Sequence, residues 1–197
     1  MIKELKSFTF DKLEDFPVDE KEVLRYLKIF KSEESFNPLY SSCLKSIEAV
    51  AVPRIVYTRI GFTVVDDMVN FGFVCVKSKH LSRHLKDCKE AYLFAATLGV
   101  EVDRCIDKCS KTSPSKSVVC DAIGSALIES FCDYMEKQLV KEMDSVFRFS
   151  PGYGDLDLCC QKEILEYLEA SKKIGVSLTE SLLMVPKKSV TAIIGIK

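Results

Sequence analysis

The chain has 197 residues, 47% of them hydrophobic, and its 28 lysines and arginines against 29 aspartates and glutamates leave a net charge of -1. That profile fits one compact globular domain over residues 1–197, and it excludes a surface built to track nucleic-acid phosphates, which needs clustered Lys and Arg. No apolar h-region follows Met1-Ile2-Lys3-Glu4-Leu5-Lys6, and no apolar run approaches the roughly 20 residues that span a bilayer, so a cytoplasmic chain with no membrane partner is expected.

The N-terminal part, about residues 1–52, reads as helical. Asp19-Glu20-Lys21-Glu22 resembles a capping box ahead of Val23, Leu24, Leu27 and Phe30, and Asn37-Pro38 opens a second helix through Leu44, Ile47 and Val50 that Pro53 ends. Two strands are predicted, Arg54 to Ile60 and Asn70 to Lys77, with a turn at Val65-Asp66-Asp67-Met68. A short amphipathic helix from Lys79 to Cys88 precedes an apolar strand from Ala91 to Leu98, which Gly99 breaks. Helices follow from Val100 to Cys109 and from Ser115 to about Met143, the second carrying a small-residue stretch, Ala122 to Ala126, where another element can approach closely. Val146 to Phe149 reads as a strand, Ser150 to Leu156 as a loop, Leu158 to Lys173 as a helix ended by Gly175, and Leu178–Val185 with Ser189–Ile196 as a closing hairpin. The predicted fold class is α+β, a mainly antiparallel sheet flanked by helices, with a doubly wound parallel sheet as the alternative.

Nine cysteines, an odd number without an export signal, read as reduced thiols. Cys43, Cys75, Cys120 and Cys132 fall in apolar periodic stretches as small hydrophobes, and Cys159-Cys160 lacks a C-x-x-C companion.

The chemistry concentrates in Arg148-Phe149-Ser150-Pro151-Gly152-Tyr153-Gly154-Asp155. Pro151-Gly152 occupies the central positions of a type II turn, glycine lets a backbone approach a ligand, and Arg148 can grip a carboxylate with two charged hydrogen bonds. Tyr153 offers a face to a purine or a cation. Taken alone, the same residues equally describe a turn whose Arg148 pairs with a surface carboxylate.

The run R-F-S-P-G-Y-G-D is similar to the R-x-x-x-G-Y ligand motif of the activation domain of cobalamin-dependent methionine synthase. Leu178-Thr179-Glu180-Ser181 with Met184, Pro186, Ser189 and Val190 resembles its next block. Glu22 to Leu27, Ala95 to Gly99 with Val102-Asp103, and Asp121 to Ala126 resemble blocks of its stand-alone relatives. The resemblance implies a module that binds S-adenosylmethionine, whose methyl group traps reduced cobalamin on a separately encoded, cobalamin-binding methionine synthase. A flavodoxin-like or other electron donor supplies the electron. It assigns the ligand carboxylate to Arg148, close approach to Pro151 and Gly152, a ring or backbone contact to Tyr153, and the ammonium group to Glu142 or Asp155. No catalytic residue and no metal ligand is assigned to the chain itself. The chain stops at Lys197, short of the extension that carries further tyrosine contacts in the longer versions, so weaker affinity is expected. Asp66 and Asp67 are the candidates for their N-terminal aspartate. A partner-docking scaffold without ligand binding and a small stand-alone methyltransferase are the rival readings.

Other motifs carry less. His80 and His84, four apart, lack an adjacent glutamate and a third ligand, which points to a solvated helix face remote from the motif. Cys105 and Cys109 begin an iron–sulfur-like spacing that Thr112 interrupts. Gly-rich dinucleotide loops, P-loops and the D-x-H-x-x-G cobalamin motif are absent from the sequence.

Overall fold

A computed structural model describes residues 4–29 and 36–197. Strand β1 (Lys6–Thr9) is followed by helices α1 (Glu20–Tyr26) and α2 (Phe36–Glu48). Strands β2 (Arg54–Gly61), β3 (Thr63–Val65), β4 (Met68–Asn70) and β5 (Cys75–Lys77) come next, then α3 (Lys79–His84), β6 (Glu90–Thr97), α4 (Val100–Thr112) and α5 (Pro114–Val140). The chain closes with α6 (Cys160–Tyr167), α7 (Ala170–Ile174), β7 (Ser177–Leu178), β8 (Met184–Val185) and β9 (Ser189–Ile196).

The main sheet has the order β1-β2-β6-β9, and every pairing in it is antiparallel, as the predicted fold class requires. Its central strands are buried on both faces, so successive residues of β6 feed two cores. Phe94 and Ala96 face one core, shared with Ile47, Ile123, Leu127 and Phe131 from α2 and α5. Leu93 and Ala95 face the other, shared with Leu81, Leu85, Ile164 and Leu168 from α3 and α6 and with Val69 of the small β3-β4-β5 sheet. Each fully buried Leu or Phe contributes roughly 1.5–3 kcal/mol.

Local chemistry explains most element ends. Asp19 caps α1 by accepting from Lys21 N at 2.9 Å, although Glu22 completes no capping box, because its carboxylate is taken by Arg25. Phe30, expected on the same helix, lies outside the described residues. Ser113 closes α4 and, with its side chain accepting from Lys116 N, opens α5 ahead of Pro114. Asp66 and Asp67, at φ 47 and 64, form the tight turn between β3 and β4.

Five expectations differ from the structure. β1 joins β2 as an edge strand in a part of the chain expected to be helical. Asn70 to Lys77 is two strand ends around a turn, in which Asn70 Oδ1 accepts from Gly72 N at 2.8 Å. Val146 to Phe149 meets β9 through isolated bridges rather than a continuous ladder. Leu158 to Lys173 breaks into α6 and α7 where Glu169 turns left-handed at φ 51. The closing hairpin does not form. β7 and β8 make their own two-stranded ribbon, and β9 crosses to pair with β6 along its whole length, from Ser189↔Thr97 to Glu90↔Ile196.

Candidate functional site

The segment from Ser145 to Phe149 lies along the outer edge of β9. Val146 N donates to Gly195 O at 3.0 Å, and Phe149 exchanges two 2.8 Å backbone bonds with Ile193. These bonds fix Arg148 between them, with its side chain directed at α5. There the guanidinium meets three carboxylates: Nη1 reaches Asp133 at 2.6 Å and Glu136 at 2.9 Å, and Nη2 reaches Glu129 at 2.9 Å. Positions 129, 133 and 136 are spaced i, i+4, i+7 and share one helix face. The cluster holds three acids and one base. Burial opposes the charge on Arg148, and the Asp133 and Glu129 carboxylates overcome it to raise the pKa. Burial pushes the Glu136 carboxyl up, against the pull of Arg148.

Among the described residues, three of the five guanidinium N–H donors are used in these bonds, leaving two for a further acceptor. Glu129 and Asp133 also keep open sides, with side chains 41% and 60% exposed. The same ridge of α5 continues to Asp121 and Ser125, where it receives a second cation. Lys188 Nζ lies 2.8 Å from each, and its stem crosses Gly124, where a Cβ would come within 3.2 Å of Cε. The close approach expected at Ala122–Ala126 is made by this side chain.

Beyond Arg148 the chain makes the expected turn. Gly152 sits at φ +87, and Tyr153 N donates to Ser150 O at 3.0 Å, which is a type II turn with buried Pro151 leading it. Tyr153 is 57% exposed, and its ring stands against Phe149 with centroids 6.1 Å apart. Phe147, 71% exposed, extends the aromatic surface.

Both histidines adjoin this loop, contrary to the expectation of a remote solvated face. His84 Nε2 is 2.7 Å from Phe147 O, and its ring contacts Phe147 and Phe149. His80 lies over Gly154, where a Cβ would meet Nδ1 at 2.1 Å, and approaches Asp155 at 3.9 Å. α3 is therefore a clamp on the loop. Among the described residues, no group of three His, Cys, Asp or Glu side chains is placed to hold a metal ion.

Asp155 completes the clamp. Its carboxylate accepts from Ser78 Oγ, from Lys79 N at 2.8 Å and from His80 N at 3.1 Å, joining the loop to the start of α3. The Ser78 hydroxyl and the two amides hold its pKa down to about 2. A carboxylate with a depressed folded pKa stabilises above its unfolded value and loses that contribution as pH falls through the folded one. Asp155→Asn is expected to lower the melting temperature at pH 7, with the difference from the wild type closing between pH 4 and about 2. Thermal denaturation across that range is the check, and a pH-independent difference would contradict the assignment.

Of the residues named from sequence, Arg148, Pro151, Gly152, Tyr153 and Asp155 lie on this one loop. Glu142 follows the end of α5 and is not among the partners of Arg148. Asp66 and Asp67 belong to the β3–β4 turn. Sequence reasoning missed Glu129, Asp133 and Glu136, whose signal was an acidic stripe at helical spacing.

No curated protein matches the chain. Among solved structures, it is similar to a crystal structure of the MetH reactivation domain bound to AdoHcy, with a TM-score of 0.71 at 19% identity, covering 98% of this chain and 78% of that one. At that identity the likeness is one of fold. The family model for the activation domain of vitamin B12 dependent methionine synthase matches residues 81–196, from α3 through the whole of the loop, α5 and β9. The match covers more than half of the sequence, and the chain belongs to that family.

Proposed function

We propose that the chain binds S-adenosylmethionine along the strip from α5 to Tyr153 and presents it, in the cytoplasm, to the cobalamin of a separately encoded methionine synthase during reductive reactivation. The observation that carries this reading is the Arg148 cluster: a cation with two donors unused among the described residues, beside two partly open carboxylates, suits the zwitterionic end of an amino acid. Arg148 takes the carboxylate, and Glu129 or Asp133 takes the ammonium. The acids surplus to Arg148 favour a nearby sulfonium over its neutral analogue. Tyr153, with Phe149 behind it, supplies a face for the purine.

The strip is open. A cavity of about 820 Å³ lies elsewhere, between α6, α7 and the β7–β8 ribbon, and none of Arg148, Gly152 or Tyr153 lines it. A site on an open strip leaves the reactive end of its ligand accessible to a second protein, as presentation requires. In this reading the methyl group supplied by the ligand passes to cobalt held by the partner, and the electron comes from a flavodoxin-like or other donor. The chain's own residues bind and orient.

Isothermal titration of S-adenosylmethionine and S-adenosylhomocysteine into the folded chain tests the proposal. Saturable binding of both, tighter for the sulfonium, is the expected result, followed by restored turnover of an oxidised cobalamin-dependent synthase when chain, ligand and reductant are added together. Binding by neither the chain alone nor the chain with its synthase leaves the docking scaffold as the better reading.

A further inference from the structure

The segment Pro186 to Ser189, which leads into β9, is held by its backbone and one hydroxyl. Lys187 N donates to Asp103 Oδ2 at 2.7 Å, and Leu98 N donates to Lys188 O at 3.0 Å. Ser189 Oγ lies 2.7 Å from Pro186 O and 2.8 Å from Thr97 Oγ1. α4 and the end of β6 therefore fix the course of the chain there without help from the Lys188 side chain.

That side chain nevertheless gives up most of its contact with water. It is 11% exposed, its stem crosses Gly124, and its ammonium lies 2.8 Å from both Ser125 Oγ and Asp121 Oδ1. Asp121 stays largely open to solvent, so the pair adds little to stability, while withdrawing the ammonium from water is costly. Packing across Gly124 asks only for an unbranched stem, which a methionine supplies equally well. Neither the course of the chain nor its packing accounts for the charge.

The place of the charge does. Asp121, Ser125, Glu129, Asp133 and Glu136 follow one another along one face of α5 at helical spacing. Lys188 is anchored at Ser125, and Arg148 Nη2 at Glu129 one turn further on, where neighbouring Cβ atoms stand about 5–6 Å apart. Among the described residues, the ridge thus joins four acids to two fixed cations. S-adenosylmethionine and S-adenosylhomocysteine share a carboxylate and an ammonium and differ in the charge on sulfur. The net potential of the ridge is what separates them, and a fixed charge within about 10 Å contributes to it at 0.1 M salt.

We propose that Lys188 is a specificity-determining residue of the ligand strip: its fixed charge offsets the acid ridge and sets how strongly the strip prefers a sulfonium to the neutral thioether left after methyl transfer. The inference rests on the strip being the ligand site. Lys188 lowers the preference for the sulfonium, and Asp121 raises it. The two residues touch each other, yet they act on selectivity in opposite directions.

The test titrates both ligands into the wild-type chain, Lys188→Met and Asp121→Asn by calorimetry, at low and at high salt. Lys188→Met keeps the stem across Gly124 and removes the charge, so the ratio of S-adenosylmethionine to S-adenosylhomocysteine affinity is expected to rise about fivefold at low salt. Asp121→Asn lowers the same ratio, Lys188→Arg leaves it near the wild-type value, and high salt shrinks both changes. A purely structural role for the pair would instead weaken both ligands together in either variant. That outcome, or a ratio unchanged in Lys188→Met, overturns the proposal while leaving the strip as the ligand site. A wild-type chain that binds neither ligand refutes the strip itself and the role of Lys188 with it.

Discussion

Arg148→Ala is expected to abolish saturable binding of S-adenosylmethionine and to cost about 3 kcal/mol of stability, the scale of breaking a partly buried charge cluster. The two effects share one cause. Without the guanidinium, Glu129, Asp133 and Glu136 face each other with no ion-pair partner among the described residues, and Glu136, whose side chain is only 20% exposed, cannot turn fully to water. Its folded pKa is already raised by burial, and losing the Arg148 guanidinium removes the charge and side-chain hydrogen bond that pulled it down, leaving only the backbone amide at that position. An acid with a raised folded pKa binds its proton more tightly in the native state, so the fold loses stability as pH rises through that pKa and regains it as pH falls. The deficit of the variant is therefore largest at neutral pH and shrinks as pH approaches the ordinary carboxylate value of 4.5. Urea denaturation at several pH values reads this directly, and a deficit that grows on acidification would contradict the cluster as described. Arg148→Lys separates the two roles. A lysine returns the charge and most of the stability but lacks the planar fork, so ligand binding stays at least about tenfold weaker.

How far site and fold were legible in the sequence varied with the range of the interaction involved. The Ser150–Tyr153 turn was legible because Pro151 and Gly152 each have a local conformational reason to be there, and the φ of +87 at Gly152 follows from it. The partners of Arg148 were not, since they lie 12 to 19 residues back on a helix whose orientation only packing determines. Their spacing was nevertheless visible, and an acidic i, i+4, i+7 stripe on a helix ahead of an arginine is a readable signal. The histidines were misjudged for the same reason, because Gly154 and Asp155 reach α3 only through tertiary structure.

Strand identity was easier to read than strand partnership. β6 and β9 were both expected as strands, yet β9 was assigned to the nearest upstream segment because hairpins are the cheapest connection. The structure instead pairs it with β6, where both faces of each strand find a core. Residues Leu178 to Val185 cannot serve as a continuous strand there, because Leu182 adopts φ 62 and the chain folds back on itself as Thr179 N bonds Leu183 O at 2.9 Å. The break between α6 and α7 was illegible for a related reason: Glu169 is left-handed at φ 51 with no glycine or asparagine to announce it.

The same pairing makes Gly195→Ala the second large effect expected. Gly195 lies opposite Ala91 in extended backbone, where alanine carries no conformational penalty of its own, so the cost is one of space. A Cβ there would lie 2.6 Å from Cys88 Sγ, 2.7 Å from Leu85 Cδ2 and 2.9 Å from Val146 Cγ2, three side chains from two segments. Leu85 is fully buried and cannot yield without disturbing the core beneath α3. Overpacking of this kind costs about 3 kcal/mol, the upper end of what extra methyl groups in cores typically cost. Val146 is the neighbour most able to move, and it is also bonded through its amide to Gly195 O and stands two residues before Arg148. The substitution is thus expected to weaken S-adenosylmethionine binding as well, by shifting the segment that aims the guanidinium at α5. Cys88→Ala in the same chain removes the nearest of the three contacts and should recover part of the loss, a coupling that a double-mutant cycle in urea isolates. If Gly195→Ala is as stable as the wild type, β9 slides past its neighbours more freely than this packing allows. If it is destabilised but binds ligand normally, Arg148 is positioned from α5 and not from the sheet edge.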